Sequence, residues 1–228
     1  VTDVRLEAGA HLTRLKLQDD SAQAVHLATL RGRLAEKSRL QAVTLTSGAA
    51  LSREQLLIAC EGAEADAELR HVLALAGNQH ADIFAGIDHA VPDTTSDSLV
   101  KSVLDDRAEG VFQGKVIVRP DAQRTDGRQL TRSLLLSREA AMNAKPELEI
   151  FADDVQCAHG ATIGELDANA LFYLRSRGIP DADAKALLIE AFLSDAFDDL
   201  EADDVREAAR GLAADWYRRQ LAKSGEAS

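Results

Sequence analysis

Short apolar runs separated by turn formers dominate the first two thirds of the chain. The runs have the length of β-strands and occur at 24–30, 42–45, 55–60, 69–75, 114–118, 133–136 and 147–152. Ser47-Gly48, Gly77-Asn78, Pro120-Asp121 and Asp126-Gly127 are among the turn signals between them. Strand-length runs with turns at fairly regular intervals predict an all-β body over residues 1–164.

Alternation within the runs indicates strands that are buried on one face. In residues 114–119, Lys115 and Ile117 face one way, while Val116 and Val118 face the other. A sandwich, a barrel and a β-helix would all give this pattern. Regular spacing without a clear sequence repeat favours the β-helix. The pattern alone does not exclude a sandwich.

From about Glu165 the periodicity becomes helical, which predicts a small helical domain over 165–228. Two apolar stripes follow a helical period: Ala184, Leu187, Leu188, Ala191, Phe192, and Val205, Ala208, Ala209, Leu212, Trp216. An earlier helix is expected at about 167–177, with Leu171 and Leu174 inward. Gly178 and Pro180 mark its end, and Asp181 is expected to cap the next helix. The tail after Leu221 is expected to fray.

Composition excludes several classes of function. The 228 residues include 38 acidic and 26 basic side chains, for a formal charge of −12, which argues against nucleic-acid and anionic-membrane binding. Aromatic residues make up only 4%, so the core must be aliphatic. The only two cysteines, Cys60 and Cys157, lie far apart, which favours a cytoplasmic protein with free thiols. No apolar run is long enough to span a bilayer.

Cys157 and His159 are the most informative pair for chemistry. In an extended strand they point to the same face, and both are ligands for zinc, copper or iron–sulfur groups. Two ligands do not complete a four-coordinate site, so a second chain or distant residues must supply the rest. For an isolated Cys-x-His, a small buried thiol beside a hydrogen-bonded imidazole is the more common outcome.

Other candidates for chemistry are weaker. His71, His80 and His89 are evenly spaced but match no helical or strand period, which places them on loops without a metal. Asp153 and Asp154, as neighbours on a strand, would face opposite sides and could not share a reaction centre. Phosphate-binding loops and the common hydrolase motifs are absent from the sequence. The chain is therefore expected to be no enzyme, and any ATP hydrolysis falls to a partner. A β-helical carbohydrate-active enzyme is disfavoured by the scarcity of aromatic residues.

Long motifs resemble the SufB/SufD family of iron–sulfur cluster assembly proteins. They are GVFQGKVIVRPDAQRTDG at 110–127, LLLS at 134–137 and the whole of 145–165. The segment LFYLRSRGI at 171–179 is similar to the SufD branch in particular, which favours a SufD-like over a SufB-like subunit. The resemblance is dense from about 109 to 192. The helical region that precedes the β-helix in the family has no counterpart in this sequence.

The resemblance implies a mainly β fold, a right-handed parallel β-helix followed by a small C-terminal helical domain. It implies pairing with a SufB-like subunit through the β-helix, or a homodimer when that subunit is absent. A SufC-like ATPase would bind the helices, with Tyr173, Arg175, Arg177, Leu188 and Phe192 as contacts. The family's interface histidine falls at His159, with Cys157 beside it. A transient iron–sulfur cluster would form there, and none would be held stably by this chain alone. A generic adaptor without a metal role is the remaining alternative.

Overall fold

The computed structural model describes residues 1–200 and 202–224, with the side chains of residues 212 and 221–224 outside that description. Within these residues a series of β-strands is followed by helices. The strands are β1 (Thr2–Leu6), β2 (His11–Gln18), β3 (Val25–Leu34), β4 (Arg39–Thr46), β5 (Leu51–Cys60), β6 (Asp66–Leu75), β7 (His80–His89), β8 (Thr95–Leu104), β9 (Glu109–Val118), β10 (Asp126–Leu135), β11 (Ala141–Ile150) and β12 (Gln156–Gly164). The helices are α1 (Ala168–Ser176), α2 (Asp181–Ser194) and α3 (Asp203–Ser224), with a short 3₁₀ turn at Asp195–Phe197.

The strands alternate between two parallel sheets. β1, β3, β5, β7, β9 and β11 form the odd sheet, and β2, β4, β6, β8, β10 and β12 form the even sheet. Each strand pairs with the strand two places along the chain, as in Leu51 with His80 and His80 with Glu109. Two consecutive strands therefore make one coil, and the next coil stacks on it. The chain is a parallel β-helix, as expected, and its handedness stays a prediction.

One corner of the coil uses left-handed backbone in successive coils. Lys37, Glu64, Asp93 and Arg124 all have φ between 55° and 61°. Such φ values are uncommon for residues other than glycine, so surrounding contacts must hold them. Here the amide of Glu64 donates to the carbonyl of Asp93 at 3.0 Å, and that of Asp93 to Gln123 at 2.9 Å. Hydrogen bonds to the next coil thus offset the strain and turn the chain between sheets.

Inward-facing aliphatic side chains from both sheets fill the coil. Leu30 and Leu56 reach in from the odd sheet and Leu40 and Leu69 from the even sheet, all essentially without solvent exposure. Val116 and Val118 belong to the same core, which confirms the alternation expected for 114–119. Fully burying each such side chain is worth about 1.5–3 kcal/mol, so the stacked coils form one continuous core.

A second core lies between the even sheet and the helices. Val43, Val72 and Val103 project from the outer face of the even sheet, and Ile189 and Trp216 from α2 and α3 meet them there. The helical segment therefore packs on the β body of its own chain and covers the middle strands of one outer face, while Leu17 on β2 and Arg128 on β10 stay exposed. Among the described residues, no helix is long and apolar enough to span a membrane.

The faces of the helices differ in part from the expected stripes. On α2 the buried residues are Ala184, Ala186, Ile189 and Leu193, whereas Leu187 and Ala191 are exposed. On α3, Ala209, Ala213, Trp216 and Tyr217 are buried and Ala208 is exposed; the side chain of Leu212 lies outside the described residues. The periodicity located the helices but chose a rotated face, because alanines as well as larger residues pack against the sheet.

Three further sequence expectations concern α1, the start of α2 and the end of α3. Gly178 has φ +86°, as expected of the residue that ends α1. Asp181 does not cap α2: the capping position is Pro180, and Asp181 instead pairs with Lys185 at 2.9 Å. Leu171 and Leu174 are only half-buried. The tail expected to fray after Leu221 is helical to Ser224, and 225–228 lie outside the described residues.

Lys101 fixes the helices to the even sheet. This residue of β8 is almost completely buried, donates to the carbonyl of Phe192 at 2.8 Å and forms an ion pair with Asp195. Its ammonium also lies 4.8 Å from the centre of the Phe192 ring. Burial lowers the pKa of Lys101, while Asp195 acts in the opposite direction. The end of α2 is thereby anchored at one defined point of the sheet.

Candidate functional site

Both sheets end in a free edge at the last coil. Within the described residues β12 pairs only with β10, and β11 only with β9. β11 contains Pro146, which has no amide to donate and is tolerated because the strand lies at an edge. The remaining backbone groups of both strands are open to pairing with another chain.

Cys157 lies on the inner side of β12, half-buried against the end of the coil's core. Its neighbour across the ladder is Gly127, and a Cβ at that position would approach the Cys157 sulfur to 3.4 Å. Burial raises the pKa of the Cys157 thiol; a hydrogen bond from the Gly127 backbone acts in the opposite direction, and Asp126 adds to the rise. In the isolated chain the thiol is therefore predominantly protonated at neutral pH.

His159 follows on the same side of β12 and is exposed. It pairs in register with Gln129, which is buried and donates to the carbonyl of Glu147 in β11 at 3.1 Å. Gly114 leaves the space for Gln129, because a Cβ there would lie 1.9 Å from its side-chain oxygen. Gln129 is thus held between the two sheets, and it forms a fixed neighbour for the imidazole.

Exposed apolar residues surround this end of the β-helix. Ile150 is 40% exposed, Phe151 60% and Ile163 49%. Ile150 and Phe151 close the apolar run at 147–152, but sequence periodicity could not show that β11 is the last strand of its sheet. Large apolar side chains beside two free strand edges are typical of an interaction surface. We call Ile150, Phe151, Cys157, His159 and Ile163 the open end.

The open end carries an incomplete ligand set. Throughout residues 1–200 and 202–224, no group of three or more His, Cys, Asp or Glu side chains could hold a metal ion. Cys157 and His159 contribute one sulfur and one imidazole. Asp153 and Asp154 lie in the loop between β11 and β12, so the expectation that they occupy a strand was wrong. A four-coordinate group here needs ligands from another molecule.

The three evenly spaced histidines lie on strands, which corrects their expected place on loops. His71 is inside the coil in β6, with its Nε2 3.9 Å from Glu54, and burial lowers its pKa to about 4. His89 ends β7, bonds Thr94 and Ser96 at 2.7 and 2.9 Å, and has its pKa lowered to about 4 by burial. His80 begins β7 and pairs with Glu109 at 3.2 Å. Strand register, which sequence spacing could not reveal, keeps them apart.

The five residues expected to contact an ATPase differ in exposure. Tyr173 and Arg175 are exposed on α1, and Arg177 lies over the Tyr173 ring at 5.2 Å. Leu188 and Phe192 are half-buried, and Phe192 belongs to the core beneath the helices.

Two exposed apolar residues on these helices were not among the five expected contacts. Phe172 is 74% exposed and Leu187 is 44% exposed. With Leu171 and Leu174 inward, helical periodicity could have placed Phe172 outward. No residue of α1 is buried, so this helix is the part of the helical segment that the chain's own fold uses least.

Most of the chain matches a known protein family. The family model for "SUF system FeS cluster assembly, SufBD core domain" matches residues 1–192. The chain belongs to the SufBD family. The matched residues include all twelve strands described here and most of α2, so the β-helix and the open end both lie within the SufBD core domain.

Curated relatives of the chain come from bacteria and a plant. The iron–sulfur cluster assembly SufBD family protein slr0076 of Synechocystis sp. is 40% identical over 200 residues, covering 88% of this chain and 44% of the relative. SufD of Escherichia coli is 31% identical over 204 residues, 90% of this chain and 48% of the relative. The chloroplastic protein ABCI7 of Arabidopsis thaliana is 33% identical, over 92% and 44%. The chain spans about half the length of these relatives.

Proposed function

We propose that the chain is a SufD-like scaffold that docks a SufB-like subunit at the open end and shares a transient iron–sulfur cluster with it. The observation that carries the proposal is the position of Cys157 and His159 on one side of β12, a strand with a free edge. A partner strand added to this edge would bring its own side chains opposite that pair. Thiolate and imidazole are known cluster ligands.

Partner binding also accounts for the state of Cys157. Its thiol is protonated in the isolated chain because the end of the core surrounds it. Iron binding requires the thiolate, and a nearby metal ion favours that form. The chain would therefore contribute its sulfur only when iron and a partner are present together, which fits a cluster that is built and then passed on.

The experiment that tests the proposal uses the chain with SufB-like and SufC-like proteins of the same organism. After co-purification, the complexes are reconstituted with iron and sulfide and their cluster content is measured by absorption and iron analysis. His159→Ala should retain the complex but lose most of the cluster. His11→Ala is the matched control, because exposed His11 lies on β2 at the opposite edge of the even sheet. Normal cluster content in His159→Ala would refute the role of this histidine.

The helical segment is the proposed ATPase-binding part, with α1 as its main contact. Exposed Phe172 and Tyr173 support this choice, since neither is needed to cover the sheet. The anchored α2 and α3 belong to the same body as the even sheet, whose last strand is β12. ATP-driven movement of a SufC-like partner would therefore be transmitted through the sheet to the open end.

A binding assay separates this contact from the scaffold role. Phe172→Asp should abolish capture of the SufC-like protein and leave pairing with the SufB-like subunit intact. Leu27→Asp on β3 is the control, because it makes the same kind of change at a side chain that is 69% exposed on the odd sheet, whereas the helices pack on the even sheet. Undiminished capture by Phe172→Asp would move the ATPase site away from α1.

A further inference from the structure

Cys157 and His159 share one side of β12 but differ in burial. Cys157 is half-buried and packs against the core inside the coil, whereas His159 is exposed. Their neighbours on β10 differ in size. Cys157 lies beside Gly127, which has no side chain, and His159 lies beside the long side chain of Gln129. The depth that each residue reaches therefore follows the space that its neighbour leaves.

Gln129 spans the interior of the coil beneath the last two strands. Only 3% of its surface is exposed, and its amide donates to the carbonyl of Glu147 in β11 at 3.1 Å. The side chain thus begins on the even sheet and ends at the odd sheet. Because the hydrogen bond satisfies the amide, this polar group can be buried there without a large desolvation penalty.

The odd sheet leaves room for the carboxamide of Gln129. A Cβ at Gly114 of β9 would lie 1.9 Å from the Gln129 side-chain oxygen and 2.7 Å from the Phe112 ring. A side chain at position 114 would therefore displace Gln129, Phe112 or both. With glycine there, these two side chains fill the interior at the level of His159.

His71 shows what happens to an imidazole that does enter the coil. It projects inward from β6, is completely buried, and has its pKa lowered to about 4 by burial. Neither of its ring nitrogens has a hydrogen-bond partner among the described residues. An imidazole in such a position could not reach ligands on a second chain. At His159 the corresponding space is taken by Gln129.

We propose that Gln129 is a positioning residue for His159. Its side chain fills the space into which the imidazole would otherwise turn, and so keeps the imidazole outward at the open end. The hydrogen bond to Glu147 holds the filling group in place. The use of this imidazole for a cluster rests on the proposed function, whereas its outward position does not.

Carbethoxylation by diethyl pyrocarbonate, followed at each histidine by mass spectrometry, tests the positioning role in the isolated chain. Gln129→Ala opens the interior, so His159 should turn inward and react severalfold more slowly. Gln129→Met restores the length of the side chain without the hydrogen bond, and should recover most of the native rate. Ser98→Ala is the control, because Ser98 is buried beside Gln129 on β8 and should not affect His159.

The other histidines report on the fold in the same experiment. Exposed His11 should react at its native rate in every variant, and buried His71 and His89 should stay protected. Should Gln129→Ala unfold, reaction of His71 would reveal it, and Gln129→Val, which opens part of the same space, takes its place with the same expectation. A native rate at His159 in the folded short variant, or a slow rate in Gln129→Met, would overturn the proposal.

Reconstitution with the SufB-like subunit, iron and sulfide separates this proposal from the proposed function. Gln129→Ala should weaken iron binding by the complex about tenfold, as expected for loss of a group that orients a ligand. Gln129→Met should restore most of it. A slowed reaction at His159 with unchanged iron binding would support the positioning role and count against the use of His159 in the cluster.

Discussion

The two sheets of this β-helix share one core but differ on their outer faces. In β6 of the even sheet every residue after the first is buried, whereas in β7 of the odd sheet buried and half-buried residues alternate. The difference arises from the helices, which form a second core on the even sheet only. The strands in the middle of the even sheet are covered on both sides by their own chain, while the odd sheet keeps an outer face open to solvent.

The same substitution on the two outer faces should give the largest contrast. Val72→Asp places a carboxylate in the dry core beneath the helices and should lower the free energy of unfolding by about 4 kcal/mol. Leu57→Asp, on the half-open odd face, should cost less than about 1 kcal/mol. Urea unfolding followed by circular dichroism measures both. Equal losses would mean that the outer faces do not differ as described.

The next largest effect is expected from acid, which should destabilise the chain by protonating His71 inside the coil. Its folded-state pKa of about 4 lies below the ordinary 6.5, so the unfolded chain binds the proton more tightly. The stabilisation is therefore complete above about pH 6.5 and is lost as pH falls towards 4, by roughly 3 kcal/mol. Burial is the main cause; Glu54 opposes it, and Lys16 and Arg14 add to it.

Unfolding free energies measured at several pH values test this assignment. His71→Gln should lose roughly 3 kcal/mol less than the native chain between pH 6.5 and 4. His89→Gln should also reduce the loss, because burial lowers the pKa of His89 to about 4 as well. If His71→Gln followed the native curve, His71 would not be responsible for its part of the acid sensitivity.

The third largest effect is expected at Lys101, which anchors the end of α2 to the even sheet. Lys101→Ala removes the ammonium that satisfies the Phe192 carbonyl and Asp195, and should cost about 2 kcal/mol, moderated because Asp195 is half-exposed. Lys101→Met keeps the apolar stem and should cost less. Hydrogen exchange should show faster exchange at the end of α2 while the odd sheet keeps its protection. Protection lost equally in both sheets would argue against a local anchor.

The smallest effect is expected at α1. Asp167 caps this helix by accepting hydrogen bonds from Asn169 at 2.8 Å and Ala170 at 3.3 Å. Asp167→Ala should destabilise α1 by about 1 kcal/mol. Because α1 buries no residue, the loss should appear as local exchange in α1 with little change in global unfolding. A loss of global stability would show that α1 supports the fold more than its burial indicates.

The sequence alone determined the β-rich body and the helical end, and its family resemblance gave the β-helix; the chemistry of Cys157 and His159 stays a prediction. Strands reveal themselves when apolar residues alternate or cluster, so 114–118 and 69–75 were found, whereas polar β8 was not. The alternation of side chains along a strand likewise placed Cys157 and His159 on one side, because they lie two residues apart. Long motifs identified the family because they extend over many residues.

Tertiary structure decided which surfaces are covered and which stay open. The choice of Ile189 and Tyr217 as inward residues, and of Leu187 as an outward one, depends on the sheet they meet, which lies far away in sequence. His71 and His89 became neutral interior groups because register carried them into the coil. Leu51, His80 and Glu109 become neighbours only in the folded chain, since local sequence fixes neither strand register nor strand partners.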